Sequence, residues 1–219
     1  MGPHDDLGQM TPQATRPALL PAATFPPFRW FELAQRPAST VCAHEHYVKQ
    51  SLRNRVLLVS GQGPVNITLP VHRRHAQSRS VADIVFTDRI APGMLLKGLQ
   101  THCGRTPYFD HYFPEIEAWA QVHLLPGNAW LDAAIASTQW ACEAMGLAHP
   151  ERSSSYIDGA QHDDWRPKSR WQHVDTIRYP QVFEDRLGFV QGRSILDVLF
   201  HLGPEAAFLT SRHGNDDLA

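Results

Sequence analysis

Residues 55–71, Arg55-Val56-Leu57-Leu58-Val59-Ser60-Gly61-Gln62-Gly63-Pro64-Val65-Asn66-Ile67-Thr68-Leu69-Pro70-Val71, spell out an antiparallel hairpin. Val65, Ile67, Leu69 and Val71 alternate with Asn66, Thr68 and Pro70, the period-two pattern of a strand with one buried face. Gly61-Gln62-Gly63-Pro64 supplies the turn, and Arg55–Ser60 the partner strand. Upstream, Leu19-Leu20-Pro21-Ala22-Ala23-Thr24 predicts a short buried strand. Phe25-Pro26-Pro27 breaks it, and Phe28, Phe31 and Leu33 begin a helix that Pro37 must stop. Thr40–Val48 and Val81–Phe86 predict further strands.

Downstream the period changes. Met94, Leu95 and Leu99 recur at helical spacing between Pro92 and Gly104. Pro114 is expected to open a helix through Ala120, and Asn128 to cap a longer one that Gly146 closes. Residues 149–180 are polar, aromatic and irregular, a length of loop that is uncommon unless functional. Ser194-Ile195-Leu196-Asp197 resembles a capping box ahead of a helix that Gly203-Pro204 ends. Strands first and helices later imply an α/β or α+β fold. The expected form is a single domain over 18–209, with a mixed sheet and N-terminal hairpin region covered by C-terminal helices, rather than a regular βαβ winding. Residues 1–17 are expected to form a disordered tail and 210–219 a flexible one.

Composition narrows the function classes. Twenty Lys and Arg against 22 Asp and Glu leave a formal charge of −2, so no net basic field holds duplex nucleic acid. No apolar run approaches the roughly 20 residues of a membrane span. Met1-Gly2-Pro3-His4-Asp5-Asp6 lacks the positive-then-apolar order of a secretory signal. Cys42, Cys103 and Cys142 form neither a CxxC pair nor a disulfide framework, so a reduced, cytoplasmic location is expected.

The densest polar run is His44-Glu45-His46-Tyr47-Val48-Lys49-Gln50-Ser51-Leu52-Arg53-Asn54-Arg55. On a strand, Glu45, Tyr47 and Lys49 would share one face, with His44 and His46 on the other. Arg53 and Arg55 offer two-pronged donation to a carboxylate or phosphate, and Lys49 a point charge. The alternative is a solvated hairpin face. His44-x-His46 also suits a shared metal ion, but no spacing nominates a third ligand. His102-Cys103 raises an activated thiolate, against the ordinary reading of packing cysteines. Asp163-Asp164 and Glu184-Asp185 could each hold a carboxyl near neutrality, or be one solvated and one capping residue. GxGxxG, phosphate-loop, GxSxG and HExxH patterns are absent from the sequence.

Ordered blocks along the chain resemble the WbqC-like family of bacterial surface-polysaccharide proteins. They begin at Phe25-Pro26-Pro27-Phe28-Arg29-Trp30-Phe31 and run through His44-Glu45-x-Tyr47-x-Lys49-Gln50-x-x-Arg53-Asn54-Arg55 and Leu69-Pro70-Val71. Gly104-Arg105-Thr106-Pro107-Tyr108-Phe109 and Asp164-Trp165-Arg166 follow. The closing blocks are Tyr179-x-Gln181-Val182-Phe183-Glu184-Asp185-Arg186-x-Gly188-Phe189 and Ser194-Ile195-Leu196-Asp197-x-Leu199-Phe200-x-x-Gly203-Pro204-Glu205. Two positions depart from that pattern: Ala91-Pro92-Gly93-Met94 replaces a Trp and His, and Cys103 replaces a Tyr.

The resemblance implies an aminoacyl- or acyltransferase of glycine type, acting on an amino sugar in O-antigen or other surface-polysaccharide biosynthesis. The alternative is a non-catalytic nucleotide-sugar or glycan-binding protein of that pathway. Its partners would be small molecules, a nucleotide-linked amino sugar and an activated amino acid, with no cofactor specified. On the transferase reading, His44 or Glu45 takes the amine proton and Tyr47 orients it. Asn54 joins Tyr47 in orienting the amine, and Lys49, Arg53 and Arg55 grip the donor. Glu184, Asp185 and Arg186 complete the pocket or brace the arginines, and Asp164 and Arg166 also bind substrate.

Overall fold

The computed structural model describes residues 16–87, 92–172, 174 and 177–209. Both expected tails lie largely outside them, as does Ala91. The chain opens with strand β1 (Ala18–Pro21), helix α1 (Phe28–Ala34) and strand β2 (Thr40–Cys42). The β1–β2 pair is parallel, with Leu19 opposite Thr40 and Pro21 opposite Cys42, so this first unit is a βαβ turn after all. β1 is buried along its whole length, as its continuous apolar run requires.

Two short strands from the irregular segment complete the sheet. β7 (Glu151–Arg152) pairs with β2, and β8 (Asp163–Asp164) pairs with the free side of β1, both in parallel. The order is β7-β2-β1-β8. The antiparallel pairs stand apart from this sheet. β3 (Arg55–Ser60) pairs with β4 (Gly63–Thr68), and β5 (Val71–Arg73) with β6 (Ile84–Phe86). The first of these is the hairpin read from residues 55–71, with Val56 opposite Ile67, but its return strand ends at Thr68 and the expected continuation to Val71 joins the second pair, opposite Phe86.

Helices α2 (Pro92–Cys103), α3 (Phe109–His123), α4 (Trp130–Ala144), α5 (Glu184–Leu187) and α6 (Ile195–Leu202) supply the remaining core. α3 begins five residues before Pro114, which sits inside it. Phe109, Tyr112, Ile116, Trp119 and Ala120 form a buried stripe that outweighs the missing N–H. Asn128 does not cap α4. Its Nδ2 donates to the carbonyls of Val122 (3.0 Å) and His123 (3.4 Å), closing the C-terminus of α3. Gly146 ends α4 at φ +64°, and Gly203 ends α6 at φ +60° with the Tyr108 ring against it, where a Cβ would lie 2.5 Å away. Among the described residues no helix is long and apolar enough to cross a membrane.

The corner after β1 is strained and pinned. Phe25 has φ +45°, a left-handed value that costs a bulky residue about 1–3 kcal/mol. Its N–H donates to Ser137 Oγ (3.0 Å), and its carbonyl accepts from Ser194 Oγ (2.7 Å). Ser194 also caps α6 by accepting from Leu196 N–H at 3.2 Å. Asp197 does not complete a capping box, because its carboxylate accepts instead from the Tyr179 hydroxyl (2.6 Å). Ser194→Ala removes cap and corner bond together. It is expected to lower stability by about 1–2 kcal/mol in urea denaturation, and an unchanged midpoint would contradict this account of the corner.

Candidate functional site

In an open parallel sheet, ligands bind outside the carboxyl ends of the strands, where the strand order reverses. Here chain order runs outward from β1 to β2 and β7, then returns to β8 on the other side. The reversal therefore falls between β1 and β8. Immediately beyond β1, Ala22 N–H donates to Glu45 Oε1 (3.2 Å). Arg53 closes on the same carboxylate from its other side, through Nε to Oε1 (3.1 Å) and an ion pair between Nη2 and Oε2. The guanidinium also donates through Nη1 to Ser51 Oγ (3.2 Å) and through Nη2 to the Arg166 carbonyl just past β8 (3.2 Å).

This places Glu45 and Arg53 where the chain must not be a strand. The strand expected over Thr40–Val48 stops at Cys42, and a turn follows. The backbone then bonds to residues 79–81, through Tyr47 N to Arg79 O (2.7 Å) and Val81 N to Glu45 O (3.0 Å). Gln50 at φ +54° turns the chain back toward the 3-10 turn Leu52–Asn54, which carries Arg53. Alternating faces over 44–49 are thus replaced by one inward carboxylate. Glu45 is 2% exposed and Arg53 1%, while Lys49 is exposed and His44 and Tyr47 are half-buried. Burial pushes the Glu45 carboxyl up to about 7, with the charge and hydrogen bonds of Arg53 pulling it back.

Arg166 forms the second layer. It grips Asp164 with both prongs, Nε to Oδ1 (2.9 Å) and Nη2 to Oδ2 (2.8 Å), and sends Nη1 to the Ile157 carbonyl (2.9 Å). Nη1 also reaches Cys42 Sγ (3.6 Å) at the end of β2. Burial works to raise the Asp164 carboxyl, but the bonds from Arg166 outweigh it and hold it below the usual range. Asp163 is likewise held low. Burial opposes this, but Trp165 Nε1 (2.7 Å) and Arg36 (2.8 Å) donate to it, and Arg170 pairs with it at 2.7 Å. Neither aspartate has the near-neutral carboxyl that the paired-acid reading asked for. The Tyr47 ring stands edge-on to Trp130 at 5.9 Å, and burial raises its phenol above the ordinary value.

Folding therefore gathers Glu45, Arg53, Asp164 and Arg166, with Tyr47 beside them and Arg55 opening β3. Asn54 is buried and stitches the hairpin, donating through Nδ2 to the Leu69 carbonyl (2.7 Å). Glu184, Asp185 and Arg186 lie elsewhere. Glu184 pairs with Arg178, and Arg186 Nη2 donates to the Gly61 carbonyl (3.2 Å), at the far end of a six-residue strand about 20 Å long. That closing block is tied down by its own network. Gln181 Nε2 donates to the Tyr179 hydroxyl (3.1 Å) and the Val190 carbonyl (3.0 Å), and Val182 N–H donates to His201 Nε2 (3.0 Å). His44 and His46 have no third metal ligand among the described residues. Cys103 is buried, which pushes its thiol up, away from a reactive thiolate.

Several members of the site had no sequence signal. The Ala22 N–H, the Ser51 hydroxyl and the Arg166 carbonyl contribute through backbone position or a short polar side chain. Only a βαβ reading of residues 18–42 would have directed attention to the end of β1. Comparison with curated proteins and with solved structures finds no match. The WbqC-like protein family matches residues 22–167, which contain Glu45, Tyr47, Arg53, Asp164 and Arg166 but not the closing blocks after Tyr179. On that match over most of the folded region, the chain belongs to the WbqC-like protein family.

Proposed function

We propose that the protein is an acyl- or aminoacyltransferase that modifies a sugar amine. Membership in the WbqC-like family suggests a role in surface-polysaccharide biosynthesis. The observation that carries the finer reading is Glu45, a carboxyl raised to about 7 at the reversal point of a parallel sheet. A sugar ammonium must lose a proton before its nitrogen can attack, and a base titrating near the working pH is matched to that task. The amine nitrogen bonds to the acyl carbonyl carbon of an activated donor. The bond to the leaving group then breaks with its electron pair, and Glu45 takes the amine proton. Arg53 steadies the charge that Glu45 carries between turnovers, and Arg166 holds the loop that carries the Arg53 contact. Both substrates are cytoplasmic on this reading.

A second reading, binding without turnover, is favoured by how completely Glu45 and Arg53 are enclosed. Mass spectrometry separates the two. Wild type is incubated with nucleotide-linked amino sugars and activated amino acids, and Glu45→Gln is run alongside. Transfer predicts an acyl mass gain on the sugar with wild type. In Glu45→Gln it predicts a loss of about 100-fold or more with substrate binding retained. A wild type that binds these sugars without ever yielding product supports the binding reading.

A further inference from the structure

A separate cavity of about 310 Å³ opens between β3 and the segments around Trp171 and Gly192. Leu57 enters it from the same face of β3 that Arg55 occupies two residues earlier, so it lies along the strand from the site above. Among the described residues of its wall, Arg193 is the only charged one. That guanidinium is anchored by backbone carbonyls. Nε donates to the Gln191 carbonyl (2.9 Å) and Nη1 to the Leu58 carbonyl (3.3 Å), and among the described residues it forms no ion pair with a carboxylate. Burial lowers its pKa, and the fields of Asp197 and Tyr179 oppose that shift.

The same wall holds an aromatic ring, Trp171, in fixed orientation. Trp171 Nε1 donates to the Trp165 carbonyl (2.7 Å), and its ring meets Trp165 edge-on at 5.3 Å. The amide side chains of Gln172 and Gln191 belong to the same wall and offer both donors and acceptors. The volume is at the small end of ligand sites, which run about 300–1,000 Å³, and suits one sugar ring rather than a whole nucleotide sugar.

We propose that this cavity binds a single monosaccharide unit bearing an acidic group. The ring lies on Trp171, the acid meets Arg193, and the hydroxyls meet Gln172 and Gln191. A carboxylate and a phosphate share the chemistry that Arg193 recognises. The choice of a sugar over another small acid rests on the surface-polysaccharide reading; the anion site itself does not.

The test is calorimetric titration of the full chain with glucuronate, glucose 1-phosphate, glucose and inorganic phosphate. One or both acidic sugars bind, identifying carboxylate or phosphate as the partner. Glucose and inorganic phosphate bind at least about tenfold more weakly. Arg193→Gln weakens acidic-sugar binding by about tenfold or more, while Glu45→Gln leaves it unchanged, so this site can stand or fall without the transferase reading. Should Arg193→Gln not fold, the Trp171 indole N–H resonance of wild type provides the second readout, shifting with acidic sugars and not with glucose. Overturning results are no binding of either acidic sugar at millimolar concentration, equal affinity for glucose, or inorganic phosphate binding as tightly as the sugar phosphate. Unchanged binding by a folded Arg193→Gln, or an indole signal that ignores the acidic sugars, also overturns it.

Discussion

Arg53→Met is expected to lower the unfolding free energy by about 3–5 kcal/mol at pH 8, and by distinctly less at pH 5. The sign follows from Glu45. Its native carboxyl sits near 7 against 4.5 in a solvated chain, so the folded state holds a proton that the unfolded state has released between those values. The stability this group contributes is complete below about 4.5 and is lost as pH rises through about 7, a change of about 3 kcal/mol. At pH 8 the carboxylate is ionised and depends on the guanidinium that grips it. Removing Arg53 then leaves a buried charge alone beside the Ala22 N–H. At pH 5 Glu45 is already neutral in the native state, and the same substitution removes little attraction. Urea denaturation at the two pH values measures the difference. Equal losses at both would show that the pair does not respond to Glu45 ionisation.

Trp130→Ala carries the other large effect, a loss of about 3–5 kcal/mol. Trp130 is fully buried, and its Nε1–H donates to Thr24 Oγ1 (3.0 Å). Thr24 N–H in turn donates to the Arg53 carbonyl (2.8 Å), and the Trp130 ring supports Tyr47. The substitution therefore opens a cavity and loosens the strand corner and the Arg53 turn at once. Trp130→Phe keeps most of the packing but strands the Thr24 hydroxyl, for a loss of about 1–3 kcal/mol. Thermal unfolding should rank wild type above Phe above Ala, with the Ala variant lower by about 10 °C. A Phe variant as unstable as the Ala variant would assign the effect to the hydrogen bond rather than to the volume.

The elements legible in the sequence were those with their own period or punctuation. The hairpin from Arg55, α2 between Pro92 and Gly104, and the Gly146 and Gly203 helix ends depend on local pattern and are found there, although the return strand runs over Gly63–Thr68 and Val71 pairs instead with Phe86. Of the parallel sheet, β1 and the start of β2 at Thr40 were legible. β7 and β8 are two-residue polar pieces, Glu151-Arg152 and Asp163-Asp164, held by pairing to β2 and β1 rather than by propensity. Pro114 shows the converse, a local breaker overridden by a buried stripe.

The site was half legible. Glu45, Arg53 and Arg166 stood out as charges, and folding joins Arg53 to Arg166 across 113 residues. Nothing in the chain order says that Glu45 faces Arg53 while Glu184 faces Arg178. That choice is made by the turn at Gln50 and by the position of α5 at the opposite end of β3. Arg193 and Trp171 were not legible, because each looks like an ordinary loop residue until the fold encloses them around one cavity.

The most direct measurement is a carbon-13 NMR titration of the Glu45 side-chain carboxyl, assigned with Glu45→Gln. The structure predicts a midpoint near 7, shifting upward in Arg53→Met. A midpoint at or below the ordinary 4.5 would mean that Arg53 overrides burial, leaving a permanently ionised brace in place of the base.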